Sequence, residues 1–396
     1  VGGNFVGSRG NEKMSKFIYA HAGDADWKVA LGSCRGQVRH QLQDARKPTL
    51  GWCYLTDHYT EAVGRILEAL REHMPGVHWV GAVGVGVGAG AVEYFDEPAM
   101  ALMLADLPPA SFKIFSSLEA LEAESNAFEP FTALVHAAGG RADLPTQLRA
   151  LSEKTSSGYL FGGLSSARNQ PLCFADTALH GGLSGVAFGP DVSIFSRVTQ
   201  GCQPIGPQRA ITRAEGNYLV TLNNARALDR AVEDLGLSLE ISDQELSEAL
   251  AETLVGLVAI GEDASTRPGQ FGANAEVRHI VGVGRKGGLL VIAEPLEAGM
   301  QLAFCKRNAA AAKLDLLRIV GEVRAQAEAV GGIRGALYIS CSGRGGPHFG
   351  ERHAEFNMVR EALGAAPLIG FFAGGEIARH HLYGYTGVLT VFAGVA

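Results

Sequence analysis

The chain has 396 residues with 34 Lys and Arg against 41 Asp and Glu, a net charge of −7 that denies it the basic face a nucleic-acid binder needs. Apolar residues make up 47% and charged residues 19%, the balance of a globular chain with core for about two to three domains. No uninterrupted apolar run reaches the length of about 18 residues expected of a membrane-spanning helix, and cysteines 34, 53, 173, 202, 305 and 341 form no CxxC pair, which argues against structural zinc and for reduced thiols in the cytoplasm.

Residues 1–13 read as a vector-derived leader ahead of Met14 and are set aside. Lys16–Ala20 reads as a strand and Asp24–Ala45 as a helix. Thr49–Leu55 is then a strand ending at Asp57-His58-Tyr59, and Thr60–His73 a helix with Val63, Ile66, Leu67 and Leu70 at spacings of three and four. Pro75-Gly76 breaks it, and His78–Val83 is a strand running into a glycine loop, Gly84–Gly90. Ala99–Leu107 returns as a strand, and Pro108–Pro130 reads as a linker.

The same order follows again. Thr132–Ala137 is a strand with Gly139-Gly140 after it, Leu144–Glu153 a helix, Tyr159–Leu164 a strand and Gly182–Phe188 a returning strand. Hairpin material comes next: Tyr218–Leu222 as a strand, Ala225–Leu235 as a helix, Gln244–Ile260 as an amphipathic helix, and Ser265–Ala273 as a polar loop. Val277–Val283 and Leu289–Ala293 flank Gly284–Gly288 as a hairpin. Its Gly282-Val-Gly284-Arg-Lys-Gly287 has dinucleotide-site spacing, but a strand follows it rather than a helix, so the context fails. Gly299–Cys305 is a strand and Ala309–Val330 a long helix.

The last stretch repeats the unit a third time. Ala336–Ser340 is a strand ending in Cys341-Ser342-Gly343-Arg344-Gly345-Gly346, Glu351–Leu363 a helix, Leu368–Ala373 a strand ending in Gly374-Gly375-Glu376, and Gly387–Phe392 the closing strand. A strand–loop–helix–strand unit near 49, 132 and 336 is an internal repeat. The expected class is α/β (α+β): duplicated units forming mixed sheets flanked by helices, in two related halves at 14–236 and 237–396.

Ligands in such sheets bind beyond the carboxyl ends of strands, where glycine lets backbone approach closely. The expected site is therefore Cys341, Ser342, Gly343, Arg344, Gly345, His348, Phe371, Gly374, Gly375, Glu376 and Ile377, with His136 or Gly84 added from the N-terminal half. Cys341 near Arg344 and His348 suggests a thiol of lowered pKa and nucleophilic chemistry, against the plainer reading of a small buried hydrophobe. Arg344 either clamps an anion or pairs with Glu376 across the two loops. His136 and His58 hold strand-end places like that of Cys341. None of the histidines has metal-ligand spacing, but haem needs a single axial ligand, for which His58, His136, His348, His380 or Cys341 would serve.

Cys341, Gly343, Arg344, Gly345, Phe349, Gly350, Pro367, Gly370, Gly375, Glu376 and Ile377 resemble the C-terminal motif of the FIST sensory domain family, and residues from about Pro48 to Gly236 are similar to its N-terminal half. The resemblance implies a cytoplasmic, stand-alone sensor. It would bind a small ligand such as an amino acid in a cleft between the two halves and signal to a separate partner such as a histidine kinase. Some members resemble haem-dependent nitric oxide sensors, which keeps a haem cofactor as an alternative, with an enzyme using Cys341 as another. Leu382-Tyr383-Gly384-Tyr385-Thr386 stands where the family often has a Leu-His-Asn-like stretch.

Overall fold

The strand–helix–strand unit read from the sequence recurs in the computed structural model, which describes residues 3–5, 17–42, 47–122, 128–140, 143–238, 240–261 and 275–394. The first copy runs Leu50–Thr56, helix Val63–His73, His78–Gly84 and Ala99–Ala105. The second runs Thr132–Ala138, helix Leu144–Glu153, Tyr159–Ser165 and Leu183–Phe188. The third runs Ile333–Cys341, helix Ala354–Leu363, Leu368–Ala373 and Thr386–Ala393. In every copy the first two strands are parallel, and the closing strand lies antiparallel on the other side of the first. One glycine of the second strand sits against the first strand's backbone at the same register. A Cβ on Gly81, Gly162 or Gly370 would stand 1.8, 1.9 or 1.6 Å from the carbonyl oxygen of Cys53, Val135 or Tyr338.

A parallel second strand leaves a free edge, and each copy's edge is covered by a hairpin from another copy. The first copy's hairpin, Gly86–Ala89 with Val92–Phe95, pairs with Leu368–Ala373 of the third. The second copy's, Cys173–Ala175 with Thr177–Leu179, pairs with His78–Gly84 of the first. The third copy's, Glu376–Ala378 with His381–Tyr383, pairs with Tyr159–Ser165 of the second. Antiparallel strands Phe17–Gly23, Phe112–Phe115 and Ser193–Gln200 finish the three mixed sheets, of six, six and seven strands. Inward residues of all three, among them Trp52, Tyr54, Leu134, Phe161, Leu337 and Phe371, form one core. Helices Trp27–Gln41 and Val63–His73 cover the outer face of the first sheet, and Leu144–Glu153 that of the second.

Residues 200–312 form a compact unit, apart from the unit made by 2–199 with 313–396. Its strands Gln301–Arg307, Arg209–Glu215, Tyr218–Leu222, Leu289–Ile292, Glu276–Gly284 and Leu254–Val258 make a closed ring, because the last pairs back onto the first. Closure leaves no free edge within the ring.

Four sequence expectations change. Of the glycine run 84–90 only Val85 and Gly90 lie outside strands: Gly84 ends the strand His78–Gly84, and Gly86–Ala89 is a strand of its own. Its glycines are needed for close packing, since a Cβ on Gly88 would meet the Phe356 ring at 2.3 Å. The linker 108–130 contains the strand Phe112–Phe115, paired with Leu183–Phe188. The helix expected over Gln244–Ile260 ends at Ala251, and Leu254–Val258 is a buried strand. A short apolar run carries no period to separate the two forms. Gly3–Phe5, set aside as leader, pairs antiparallel with Ile194–Ser196. The loop Ser265–Ala273 lies outside the described residues.

Candidate functional site

The shared glycine register makes Gly81, Gly162 and Gly370 equivalent, and counting from them aligns the three copies residue by residue. The end of the first strand is Thr56, Ala138 and Cys341. The inward residue opening each exchanged hairpin, paired one place beyond the glycine, is Val87, Cys173 and Glu376. The residue opening the closing strand is Ala99, Gly182 and Thr386. The first two copies have no acid at these places: Thr56, Val87 and Ala99 in one, Ala138, Cys173 and Gly182 in the other. The third fills them with a thiol, a carboxyl and a hydroxyl.

Glu376 has no solvent exposure. Its Oε2 accepts the Thr386 backbone N–H at 3.2 Å and the Thr386 hydroxyl at 2.8 Å. Its Oε1 makes no hydrogen bond of normal geometry. Burial pushes the carboxyl up to about 8, against smaller opposing effects of the Thr386 donors, the Arg344 charge and the Cys341 thiol. At neutral pH the acid is therefore mostly protonated. With Oε2 already accepting two donors, Oε1 is the oxygen suited to carry that proton.

Cys341 is beside it. Burial first, then the Glu376 carboxyl, push this thiol up to about 12, although the Gly343 and Tyr385 N–H groups donate to its sulfur. The lowered pKa expected from Arg344 is thus reversed. Cys341 is 8% exposed, Ser342, Gly343 and Tyr385 are half-buried and Gly374 is exposed, so the pair lies just beneath the surface.

Arg344 pairs with a carboxylate other than the Glu376 expected. It is buried, and its Nε donates to Glu355 Oε1 at 2.8 Å and its Nη2 to Thr199 Oγ1 at 3.3 Å. Its guanidinium stands over the Phe349 ring at 5.2 Å. Glu355 also accepts the Tyr338 hydroxyl at 2.7 Å and the Ser340 hydroxyl at 3.0 Å. The ion-pair partner of Arg344 is therefore Glu355 and not Glu376. Glu355 was not singled out from sequence, although it lies four residues before Val359 on the buried stripe of its helix, an anomalous place for a carboxylate. Glu93, from the first copy's hairpin, accepts the Phe356 N–H at 2.9 Å at that helix's start. Burial pushes Glu93 up to about 7, with the neighbouring Glu355 adding to it.

The other expected residues separate into two groups. Ser342 donates its N–H to Ala373 at 2.8 Å, which brings the Cys341 and Gly374 loops together. The Gly375 carbonyl accepts from Leu164. A Cβ on Gly84 would meet the Phe372 carbonyl at 2.9 Å and the Ser166 hydroxyl at 3.1 Å, and on Gly345 the Phe372 ring at 2.1 Å. Ile377 points to the opposite face, in the core beneath Leu144 and Leu148. His348 is half-buried with its ring 6.0 Å from that of Phe349.

His136 is not the counterpart of Cys341. It aligns with Tyr54 and Ile339, two places deeper. Its Nε2 is 3.1 Å from the Tyr54 hydroxyl, and its ring packs against Phe371 at 6.0 Å between centroids. Burial pushes the imidazole down to about 3. Sealed between two aromatic rings with no exposure, His136 does not fit an axial haem ligand. His58 pairs with Asp57 at 3.6 Å, and the His380 ring lies 4.1 Å from that of His381. Among the described residues no three His, Cys, Asp or Glu side chains gather as metal ligands, and no helix is long and apolar enough to cross a membrane.

The molecule is thus an α+β protein of mixed, helix-flanked sheets in which one of three equivalent units holds a buried ion pair and a further buried acid. The FIST N domain model matches residues 49–225 and the FIST C domain model residues 227–379, so the chain belongs to the FIST family, whose domains are sensory and ligand-binding. It is similar to the uncharacterised protein Rv0628c of Mycobacterium tuberculosis, 30% identical over 93% of this chain and 97% of the relative. It is also similar to the uncharacterised protein Mb0898c of Mycobacterium bovis, 28% identical over 93% and 96%.

Proposed function

We propose that the protein senses a small carboxylate-bearing ligand of amino-acid type, held beside Cys341, Glu376 and Thr386, and passes the event to a separate signalling partner. The observation that carries this reading is Glu376 Oε1: a fully buried oxygen without a hydrogen bond of normal geometry, in the one copy of the unit that has an acid at these places. A buried polar atom left unpaired is costly unless something else completes it. A protonated carboxyl donates a hydrogen bond to an anion, which an ionised one repels. The raised Cys341 thiol supports binding over nucleophilic catalysis, since the thiolate is the reactive species.

The test is a thermal-shift screen of amino acids and small carboxylates at about pH 6.5, because a ligand stabilises the state it binds. At least one compound is expected to raise the melting temperature of the wild type and to lose that effect in Glu376→Leu. Glu376→Gln keeps a donor and should retain the response. Its affinity should stay flat with pH, while that of the wild type falls up to about tenfold per unit above pH 8. A response unchanged in Glu376→Leu, or no response from any compound, would sink the reading.

A further inference from the structure

The barrel unit carries a feature that ligand sensing does not use. Cys202 opens the short strand Cys202–Pro204, which lies outside the closed ring and is held to it by pairing with Cys305–Arg307. The register sets Cys202 opposite Arg307 and Pro204 opposite Cys305, so the two cysteines are diagonal neighbours on one face. Their thiols are close enough to hydrogen-bond. Cys305 is fully buried and Cys202 is 5% exposed. The pair also has a particular place along the chain: the compact unit begins at 200 and ends at 312. Cys202 is on the strand that enters and Cys305 on the strand that leaves, with Asn308 N–H donating to Gly201 at 3.1 Å and the Asn308 side-chain amide to Gln203 at 2.6 Å.

We propose that Cys202 and Cys305 are a peroxide-oxidisable pair whose disulfide staples the two ends of the barrel unit together. The Cys202 sulfur, the more accessible of the two, attacks one oxygen of hydrogen peroxide. The O–O bond breaks, one water leaves and Cys202 becomes a sulfenic acid. The Cys305 sulfur attacks that sulfur and expels the second water. Two thiols and one peroxide thus give one disulfide and two waters, with both sulfurs oxidised and peroxide reduced. The entering strand is short, lies outside the ring and includes Pro204, which offers no N–H, so it frays more readily than the ring strands and admits the oxidant. The bond closes a loop of about 100 residues, and a cross-link restricts the unfolded chain more the longer the loop it closes.

The test treats the whole chain with hydrogen peroxide, blocks remaining thiols and maps the peptides. The expected result is a mass loss of about 2 Da and a cross-linked pair of peptides containing Cys202 and Cys305. A melting temperature higher by about 5 °C, reversed by dithiothreitol, should accompany it. Cys202→Ala and Cys305→Ala each abolish the link, and Cys53→Ser retains it. Absence of the linked peptide in oxidised wild type overturns the proposal, whatever the fate of the variants. So does a mass loss that survives Cys202→Ala.

Discussion

The first and third copies of the repeated unit answer the same backbone demand and diverge in what they bury. Gly81 and Gly370 meet a neighbouring carbonyl oxygen within 1.8 and 1.6 Å of where a Cβ would stand, so both strands have the same register. At the strand end, however, the Thr56 hydroxyl in the first copy bonds only to the backbone of Ala99. The third copy has Cys341 against Glu376 and Thr386, and on its outer face Arg344 with Glu355. Steric requirements repeat because the sheet repeats. The Arg344–Glu355 pair and the acid beside the strand end do not repeat, so the sheet geometry alone does not require them.

The largest effect separates the two polar clusters of the third copy. Arg344 and Glu355 are both without exposed side-chain surface. Glu355→Ala leaves the guanidinium buried without its carboxylate and should cost about 3–5 kcal/mol in urea unfolding. The double variant Arg344→Met with Glu355→Leu, which removes both charges, should regain much of that. If the single and double variants unfold alike, the ion pair is not what the network depends on. Arg344→Ala should likewise act on stability and not on ligand affinity alone.

A smaller effect checks the equivalence of the copies. Gly81→Ala, Gly162→Ala and Gly370→Ala should each destabilise by about 3 kcal/mol, the upper end for an inserted methyl. A value near zero at one of them, measured by thermal or urea unfolding, would break the alignment from which Glu376 is matched to Val87 and Cys173.

The repeat itself was legible in the sequence, because helix periodicity and glycine punctuation are local. The helix over Leu144–Glu153 and the strand Leu368–Ala373 fall at the expected residues. The exchange of hairpins was not legible. Pairing of Glu376–Ala378 with Tyr159–Ser165 joins residues more than half the chain apart, and no local pattern encodes it. Three-residue strands such as Cys173–Ala175 are too short to display alternation. At the site, Cys341 and Glu376 were both named, and they are neighbours. The partner of Arg344 was mistaken because Glu376 offered a carboxylate at a loop, whereas the true partner lies on a helix face that reads as apolar apart from Glu355 itself. His136 reads two residues out of place because a strand end is visible in the sequence, whereas the glycine register that aligns the copies is not.

The pH dependence of stability distinguishes Glu376 from its apolar counterparts. The folded carboxyl titrates at about 8 against the usual 4.5. Between those values the folded protein holds a proton that the unfolded chain has released. Raising the pH through this window therefore lowers stability, by up to about 1.4 kcal/mol per unit, and the loss is complete above the folded value. Glu376→Gln should remove that slope and be more stable than wild type at pH 8.5 relative to pH 5. Glu93, also raised by burial, contributes a like slope to both proteins and cancels in the difference. Parallel curves for wild type and variant would mean that Glu376 is ionised in the folded state.

The smallest effect is expected at Cys341. Cys341→Ser keeps a small hydrogen-bonding group where the Gly343 and Tyr385 N–H groups point and where the Glu376 carboxyl stands, so stability should change by less than about 1 kcal/mol. The ligand-induced thermal shift should survive, because the proposed donor to the ligand is Glu376 Oε1. Labelling of the wild-type thiol by iodoacetamide at pH 8 should be slower than that of a free cysteine by about a thousandfold, the ratio of thiolate at a pKa of about 12 to that at the usual 9. A nucleophilic enzyme demands the opposite on each count: fast labelling, a thiolate at neutral pH and no tolerance of serine. Because Glu376 stands between these outcomes, Glu376→Gln adds a third arm. Taking the acid away removes one of the two influences that push the thiol up, so labelling should accelerate in this variant while ligand response is retained. Labelling and ligand response that fall together in Cys341→Ser would assign the chemistry to sulfur; labelling that changes while response holds assigns it to the acid.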